Sequence, residues 1–525
     1  MSPPSLQDAS SVGRIPTALR VELLATVFVT GAAVLLIEVV GTRIVGPVFG
    51  VSLFVWSALL VVTLGSLAIG YYAGGALADR RPEPKVLGAV VLAAAGLLAF
   101  LGVITPWVLE WTVSFGPRAG PLLAASVLFA PSLVVLGMVG PIAVRLAAVD
   151  PRSAGHGVGT IYAVSTAGSL LGTLATAFVI LPAFDTEQIV VGAATLLALL
   201  GGVLLSRHWS SAAVAAVLVP PILGWTAPEP SLPSGYTILD RAQSLYGRVE
   251  VIDQAKGNVR MLRADHSIIG AQFVPDRSSA FAFIHLLEAV RLLRPTAKNM
   301  LQLGLGIGSL PRTLQAFGVM ADVVEIDPAV VRFARRYFAF EPTGDVFQED
   351  ARTFLRRTDR RYDVVVHDTF TGGTTPEHLL SLEVIQQIHE LLRPGGVLVL
   401  NFAGFDRGPK AEASWAVART VRAVFRNMRI FRDGGLEDRS DEAANLVFFG
   451  SDDTLDFTIA KDAVFENASC KSVMSAFGGW EVRGAVPDGP LITDARNPLA
   501  RSQIPVAEDH FEAMNALLPL EVWLH

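Results

Sequence analysis

The first 227 residues constrain this chain most. Apolar runs of roughly 20 residues recur along them, and a helix of about that length crosses the roughly 30 Å of hydrocarbon in a bilayer. The runs lie at about 21–41, 52–77, 86–109, 121–148, 159–183, 187–206 and 210–227, the last short and interrupted by Pro220-Pro221. Charge separates this part from the rest, because residues 1–230 hold only 10 of the 42 Lys+Arg and 10 of the 48 Asp+Glu. A chain that is 51% hydrophobic is too apolar for an ordinary soluble enzyme. The expectation is an N-terminal transmembrane helical bundle of about seven helices followed by a normally charged soluble domain.

Five segments follow from this reading: residues 1–20 before the bundle, 21–227 in it, a Pro/Ser linker "PEPSLPSG" at 228–235, a β-hairpin and helix region at 236–295, and the main soluble domain at 296–525. The first apolar run is too long for the core of a cleavable signal. Arg14, Arg20, Arg80, Arg81, Lys85, Arg145, Arg152 and Arg207 fall at alternate span ends and predict a cytoplasmic N-terminus. "GGALADRRPEPK" is similar to the cytoplasmic loop after the second helix of major-facilitator transporters. Seven full crossings would carry the soluble domain to the outer side. A re-entrant seventh segment keeps it cytoplasmic, which is the side expected here for an inner-membrane protein. Within "LLIEVVGTRIVGPVFG", Glu38 and Arg43 lie near membrane depth, and Gly41, Gly46 and Pro47 can break the helix. They form a candidate membrane site or a structural ion pair. Small-residue runs such as "GSLLGT" and "GGALA" permit close helix packing within one chain or in a homo-oligomer.

The soluble part reads differently. "GRVEVID" and "NVRMLRADHSI", separated by "QAKG", form a hairpin pattern, and a helix is expected over "SSAFAFIHLLEAVRLL". From residue 299 strand and helix patterns alternate: "NMLQLGLG", "SLPRTLQAF", "ADVVEID", "PAVVRFARRYF", "YDVVVHD", "LEVIQQIHELL" and "GGVLVLNF". That spacing predicts a doubly wound, Rossmann-like α/β sheet, whose ligands sit at the carboxyl ends of the strands. Gly304, Gly306 and Gly308 make a G-x-G-x-G turn after the first strand, with Ser309 as the expected helix cap. Glu325 follows the second strand, where a carboxylate accepts from ribose hydroxyls. Asp350 follows the third and is placed to accept from an adenine amino group. Asp368 follows the fourth, over the reacting end of the ligand. The succession points to an S-adenosylmethionine-type nucleoside site, although each acid alone also reads as a cap or turn residue. The net charge of −6 and the lack of a long basic run exclude an electrostatic nucleic-acid binder. A single cysteine, Cys470, excludes intramolecular disulfides and cysteine-rich zinc sites, and no metal centre is expected.

These residues resemble the polyamine aminopropyltransferases of the spermidine synthase type, in the form that carries membrane helices ahead of the domain. The likeness covers roughly 240–405, with "GTRIVGPVFG" and "GGALADRR" in the membrane part and "LITDARNPL" near the other end. It implies that Gly304, Gly306, Gly308, Glu325, the Asp350-Ala351 pair, Pro376 and Tyr246 of "SLYG" contact the nucleoside, with Asp368 as catalytic base. The implied reaction moves an aminopropyl group from decarboxylated S-adenosylmethionine, a co-substrate rather than a tightly bound cofactor, to a polyamine. The amine side departs from the family. Ile307 stands where an acid holds the aminopropyl ammonium, Thr371 where a second acid stands, Phe283 and His285 where a tyrosine and an acid stand, and Gly247 where a glutamine stands. Asp240, Asp265 and Asp494 are the acids available as replacements. Methyl transfer from S-adenosylmethionine is the near rival, and a transporter or sensor with a non-catalytic nucleoside- or polyamine-binding domain is the alternative of another class.

Overall fold

A computed structural model describes residues 16–50, 52–147, 154–205, 232–434, 441–458, 465 and 467–524. The chain divides into two compact units, Met1–Ser231 with Leu524–His525, and Leu232–Trp523.

In the first unit the helices are α1 (Thr17–Phe49), α2 (Leu53–Arg80), α3 (Pro84–Val113), α4 (Gly116–Leu128), α5 (Ala130–Ala147), α6 (Ala154–Ala175) and α7 (Thr186–Leu205). Among the described residues six helical segments are long and apolar enough to cross a membrane. The expected seventh segment, 210–227, lies outside the described residues.

Two expectations fail here for backbone reasons. First, α1 is not broken at Gly41, Gly46 or Pro47; it runs 33 residues to Gly50, whose positive φ of 72° ends it. At 1.5 Å per residue that is about 50 Å, longer than the hydrocarbon core. Pro47 falls in the last turn, where it removes a single helical bond. Second, the run 121–148 is two helices that meet at Phe129. Pro131 has no N–H for the Val127 carbonyl and its ring crowds that group, which accounts for the break. Glu38 and Arg43 are half-buried on α1, and no hydrogen bond or ion pair joins them among the described residues. The small-residue runs pack within the chain. A Cβ on Gly74 would strike the backbone of Met138 on α5, and one on Gly168 the backbone of Phe28 on α1. Such contacts let helix axes approach closely.

The second unit starts with an antiparallel sheet of β1 (Tyr236–Gln243), β2 (Arg248–Gln254), β3 (Val259–Ala264) and β4 (Ser267–Phe273), in sequence order. At its heart Glu250 is fully buried and meets Arg241, Arg248 and Arg263, the last of these also fully buried. The Arg263 guanidinium bonds the Val522 carbonyl and lies 5.4 Å from the centre of the Trp523 ring, which fastens the end of the unit to this sheet.

The helix expected over 278–293 is two short pieces, α8 (Ala282–Leu287) and α9 (Val290–Leu293). There follow β5 (Asn299–Leu303), α10 (Ser309–Gln315), β6 (Met320–Val324), α11 (Pro328–Tyr337), β7 (Val346–Phe347), α12 (Ala351–Arg357), β8 (Tyr362–His367), α13 (Leu382–Leu391), β9 (Leu392–Gly404), α14 (Glu412–Arg422), β10 (Asn427–Arg432), β11 (Ala444–Ser451), α15 (Ala468–Ala476), α16 (Leu499–Ser502) and α17 (Ile504–Leu517). The seven-stranded sheet has the order β10-β11-β9-β8-β5-β6-β7. Its β9-β8-β5-β6-β7 part is parallel, and β11 and β10 complete it antiparallel. Leu301, Val365, Leu398 and Val399 are fully buried, as strands covered on both faces require. The order reverses at β5, between β8 and β6, and a ligand crevice opens at such a switch point.

Candidate active site

Register brings the strand ends together. Leu303 pairs with both Val324 and His367, and Val324 pairs with Phe347. The next residues, Gly304, Glu325 and Asp368, therefore form one row along the carboxyl edge. Gly304 donates to the Val324 carbonyl at 2.8 Å and Asp368 N–H to the Leu303 carbonyl at 2.9 Å. Gly304 has φ +83°, and a Cβ there would overlap the Asp368 carbonyl oxygen, so only glycine fits. Gly306 and Gly308 also have positive φ, and Gly308, not Ser309, is the cap of α10. Ser309 is the first residue inside that helix and is buried, which corrects its expected capping role.

Glu325 locks the turn. One carboxylate oxygen accepts from Leu305 N–H at 3.0 Å and the other from Asp327 N–H at 2.9 Å. Burial pushes its carboxyl above the ordinary value, against the pull of those N–H groups. Asp327 caps α11 through Ala329 N–H and accepts from Ser244 Oγ at 2.7 Å. Ser244 belongs to the β1–β2 turn that carries Tyr246, whose own N–H donates to Ser244 Oγ. Tyr246 is thus joined to the edge of the site through two residues, with its ring half exposed.

Asp350 is an N-cap. Its carboxylate accepts from Thr353 N–H at 2.9 Å and pairs with His378 Nε2 at 3.0 Å, and Ala351 opens the helix it caps. Burial acts to raise its pKa, but His378 and Thr353 outweigh this and hold it below the ordinary value. Pro376 precedes the short turn Glu377–Leu379 that carries His378.

Asp368 is set apart from the other acids. Burial pushes its carboxyl up to about 6, and the single opposing influence is Asn401 Nδ2, which donates to it at 2.9 Å. A carboxyl poised near neutral pH suits proton transfer better than a fully solvated one. The neighbouring His367 is buried, bonded to the Leu379 carbonyl, and held in its neutral form by desolvation.

The loop beyond Asp368 is fastened from a distance. Thr371 and Thr374 exchange backbone hydrogen bonds around Gly372-Gly373. The buried Gln503 amide then grips the Thr375 peptide, accepting its N–H and donating to its carbonyl, each at 3.0 Å. The His510 ring packs where a Cβ on Gly373 would stand, and its Nε2 lies 2.7 Å from Ser267 Oγ.

Ile307 lies in an apolar cluster with Leu305 and Val323. Ile307 is 4% exposed and is directed onto Gly270 of β4. The acids offered as replacements are already employed. Asp494 forms a bidentate pair with Arg352 and accepts from Ser381, Asp240 accepts from Tyr337 and faces Arg336, and Asp265, at φ +45°, accepts from Arg248 N–H. Phe283 stacks on Phe281, and His285 is buried beside Glu288. Asn401, Gln503 and His378 are the partners that sequence reasoning missed. An asparagine inside the apolar run "VLVLNF" was the one visible signal.

A doubly wound sheet with a glycine turn and a row of acids at its switch point is the layout in which transferases of the S-adenosylmethionine type hold their donor. The spermine/spermidine synthase domain model matches residues 285–426. The polyamine aminopropyltransferase of Vibrio vulnificus (strain CMCP6) is 31% identical over 215 residues, which is 38% of this chain and 70% of that protein. The chain belongs to the spermine/spermidine synthase family of polyamine aminopropyltransferases. It is also similar, at 30% identity over 326 residues, to the N-terminal histidine N-methyltransferase of Emericella nidulans, matching 55% of this chain and spanning 58% of the length of that relative. The crystal structure of a probable spermidine synthase from Corynebacterium glutamicum superposes with a TM-score of 0.40 at 16% identity, covering 51% of this chain and all of that one.

Proposed function

We propose that the second unit is an N-alkyltransferase. It holds a sulfonium nucleoside on the Gly304–Gly308 turn and the Glu325 carboxylate, while Asp368 takes the proton from an amine nitrogen. That nitrogen attacks the carbon beside sulfur; the new N–C bond forms as the C–S bond breaks, with its electron pair going to sulfur. The observation that carries this reading is the Asp368 carboxyl, desolvated to about 6 at the strand end and steadied by Asn401. In the reading drawn from the family, the co-substrate is decarboxylated S-adenosylmethionine, the acceptor a polyamine, and the leaving product methylthioadenosine.

A second reading, methyl transfer from intact S-adenosylmethionine, is favoured by Ile307. An aminopropyl ammonium placed there would face buried hydrocarbon in place of a carboxylate, an environment that penalises charge. The fungal relative named as an N-terminal histidine N-methyltransferase supports the same reading. The six apolar helices serve on this view as a membrane anchor, with the transferase on the cytoplasmic side where its donors are made. A reporter fused after His525 that faced the outer side would refute that placement.

The deciding experiment incubates the detergent-purified full-length chain with each donor in turn. The acceptors are putrescine, spermidine and a short peptide with an N-terminal histidine, and products are weighed by mass spectrometry. An aminopropylated product supports the first reading and a methylated one the second. If the wild type forms neither with any acceptor, N-alkyl transfer is refuted.

A further inference from the structure

Three metal-ligating side chains meet in the interior beside the strand-end site. His285 lies in α8 and Glu288 three residues on, so the two share a face; Cys470 comes from the first turn of α15. Their exposures are 2%, 1% and 0%. His285 Nδ1 is 3.2 Å from Glu288 Oε1, and Cys470 Sγ donates to Glu288 Oε2 at 2.9 Å. One ligand atom from each residue lies within 4.8 Å of the other two. The surroundings are apolar, with Leu286, Leu287, Met474 and Phe477 in the same core. A carboxylate at such depth is costly unless paired or coordinated to a metal. Among the described residues Glu288 meets His285 and Cys470, with no lysine or arginine at its carboxylate.

We propose that His285, Glu288 and Cys470 bind one divalent transition-metal ion of the zinc type. The donor set is one imidazole nitrogen, one carboxylate oxygen and one thiolate, which suits borderline-soft ions and disfavours calcium and magnesium. Geometry agrees. Zinc bonds to nitrogen and oxygen of about 2.0 Å at a tetrahedral angle put those two atoms about 3.3 Å apart, close to the 3.2 Å between His285 and Glu288. With a sulfur bond of about 2.3 Å the oxygen–sulfur separation becomes about 3.5 Å. The ion therefore enters by opening the thiol–carboxylate contact by roughly 0.6 Å and displacing the thiol proton. Asp433 lies near His285 and accepts from Phe283 N–H. A lone cysteine excludes thiolate-rich sites but not a mixed-donor one. Such an ion would join α8, which leads into β5 and the glycine turn, to a helix 182 residues away.

The test is metal analysis of the full-length, tag-free chain purified in detergent without chelator. Roughly one zinc per chain is expected, with a roughly tenfold loss in Cys470→Ala and in Glu288→Gln. Wild type stripped by chelator and reloaded with Co2+ should show cysteine-to-cobalt charge-transfer absorption, which needs no variant to be read. A wild type that carries no zinc and takes up no Co2+ overturns the site and leaves a hydrogen-bonded His–Glu–Cys cluster. Undiminished metal in Cys470→Ala overturns it as well.

Discussion

Asp368→Asn should inactivate the enzyme and stabilise it at the same time. The folded state holds this carboxyl at about 6 against an ordinary value of 3.8, chiefly by desolvation. About two pKa units correspond to about 3 kcal/mol. The folded-state pKa is raised, so the wild-type group costs no stability below about pH 3.8, where it is protonated in both states. Stability is lost as pH rises through about 6, where the folded protein must hold a buried charge. Asparagine carries no such charge and still accepts the Asn401 hydrogen bond through its amide oxygen. The variant should therefore match the wild type near pH 3 and exceed it by up to about 3 kcal/mol near pH 8, with turnover reduced roughly 10²–10⁴-fold by loss of the base. Unfolding of the purified full-length chain at the two pH values, beside a product assay, reads both. Unchanged stability near pH 8 would refute the desolvated carboxylate, and retained turnover would refute its role as base.

Asn401→Leu removes the one donor that favours the charged form of Asp368. A hydrogen bond to a charged group is worth roughly 1.5–3 kcal/mol, so the acidic limb of the kcat/KM profile should move up by roughly one to two pH units; an unmoved limb would separate Asn401 from the titrating group. Gln503→Leu frees the Thr375 peptide, and kcat should fall with little change in donor affinity measured by calorimetry. Equal loss of donor binding would mean that the nucleoside turn itself had been disturbed. Glu250→Gln leaves Arg263 buried without its counter-charge, so the second unit should lose roughly 3–5 kcal/mol of stability. Burial alone would raise the Glu250 pKa, but the three arginines more than offset it, so the stabilisation is present above the ordinary carboxylate range and lost as pH falls; a Gln variant as stable as wild type near pH 7 would refute this account.

What was legible in the sequence was what the chain carries locally. Alternating strand and helix patterns located β5, β6 and β8, and once strands lie parallel and in register the residue after each must reach the same edge. Gly304, Glu325 and Asp368 therefore stand out from the sequence alone as one row. The partners were not legible, because Asn401 lies 33 residues and Gln503 128 residues from the groups they hold, and only sheet order and packing join them. Caps went astray for a related reason. A serine before a helical pattern has cap chemistry, but Gly308 takes the positive φ that the turn demands and pushes Ser309 inside the helix. The broken span at Phe129 shows a proline effect two residues later overriding an unbroken hydropathy pattern. Asp494 illustrates the converse, since an exposed-looking acid in "TDARNP" is consumed by Arg352 from another part of the chain.

The grip of Gln503 on Thr375 also orders events in time. The two residues are 128 positions apart, and a ribosome adding roughly 5–20 residues per second needs roughly 6–26 s to make the intervening chain. The glycine turn and Glu325 follow β5 and β6, whereas the loop beyond Asp368 is held by a residue made only much later. The loop beyond Asp368 is thus the last part of this edge to be fastened.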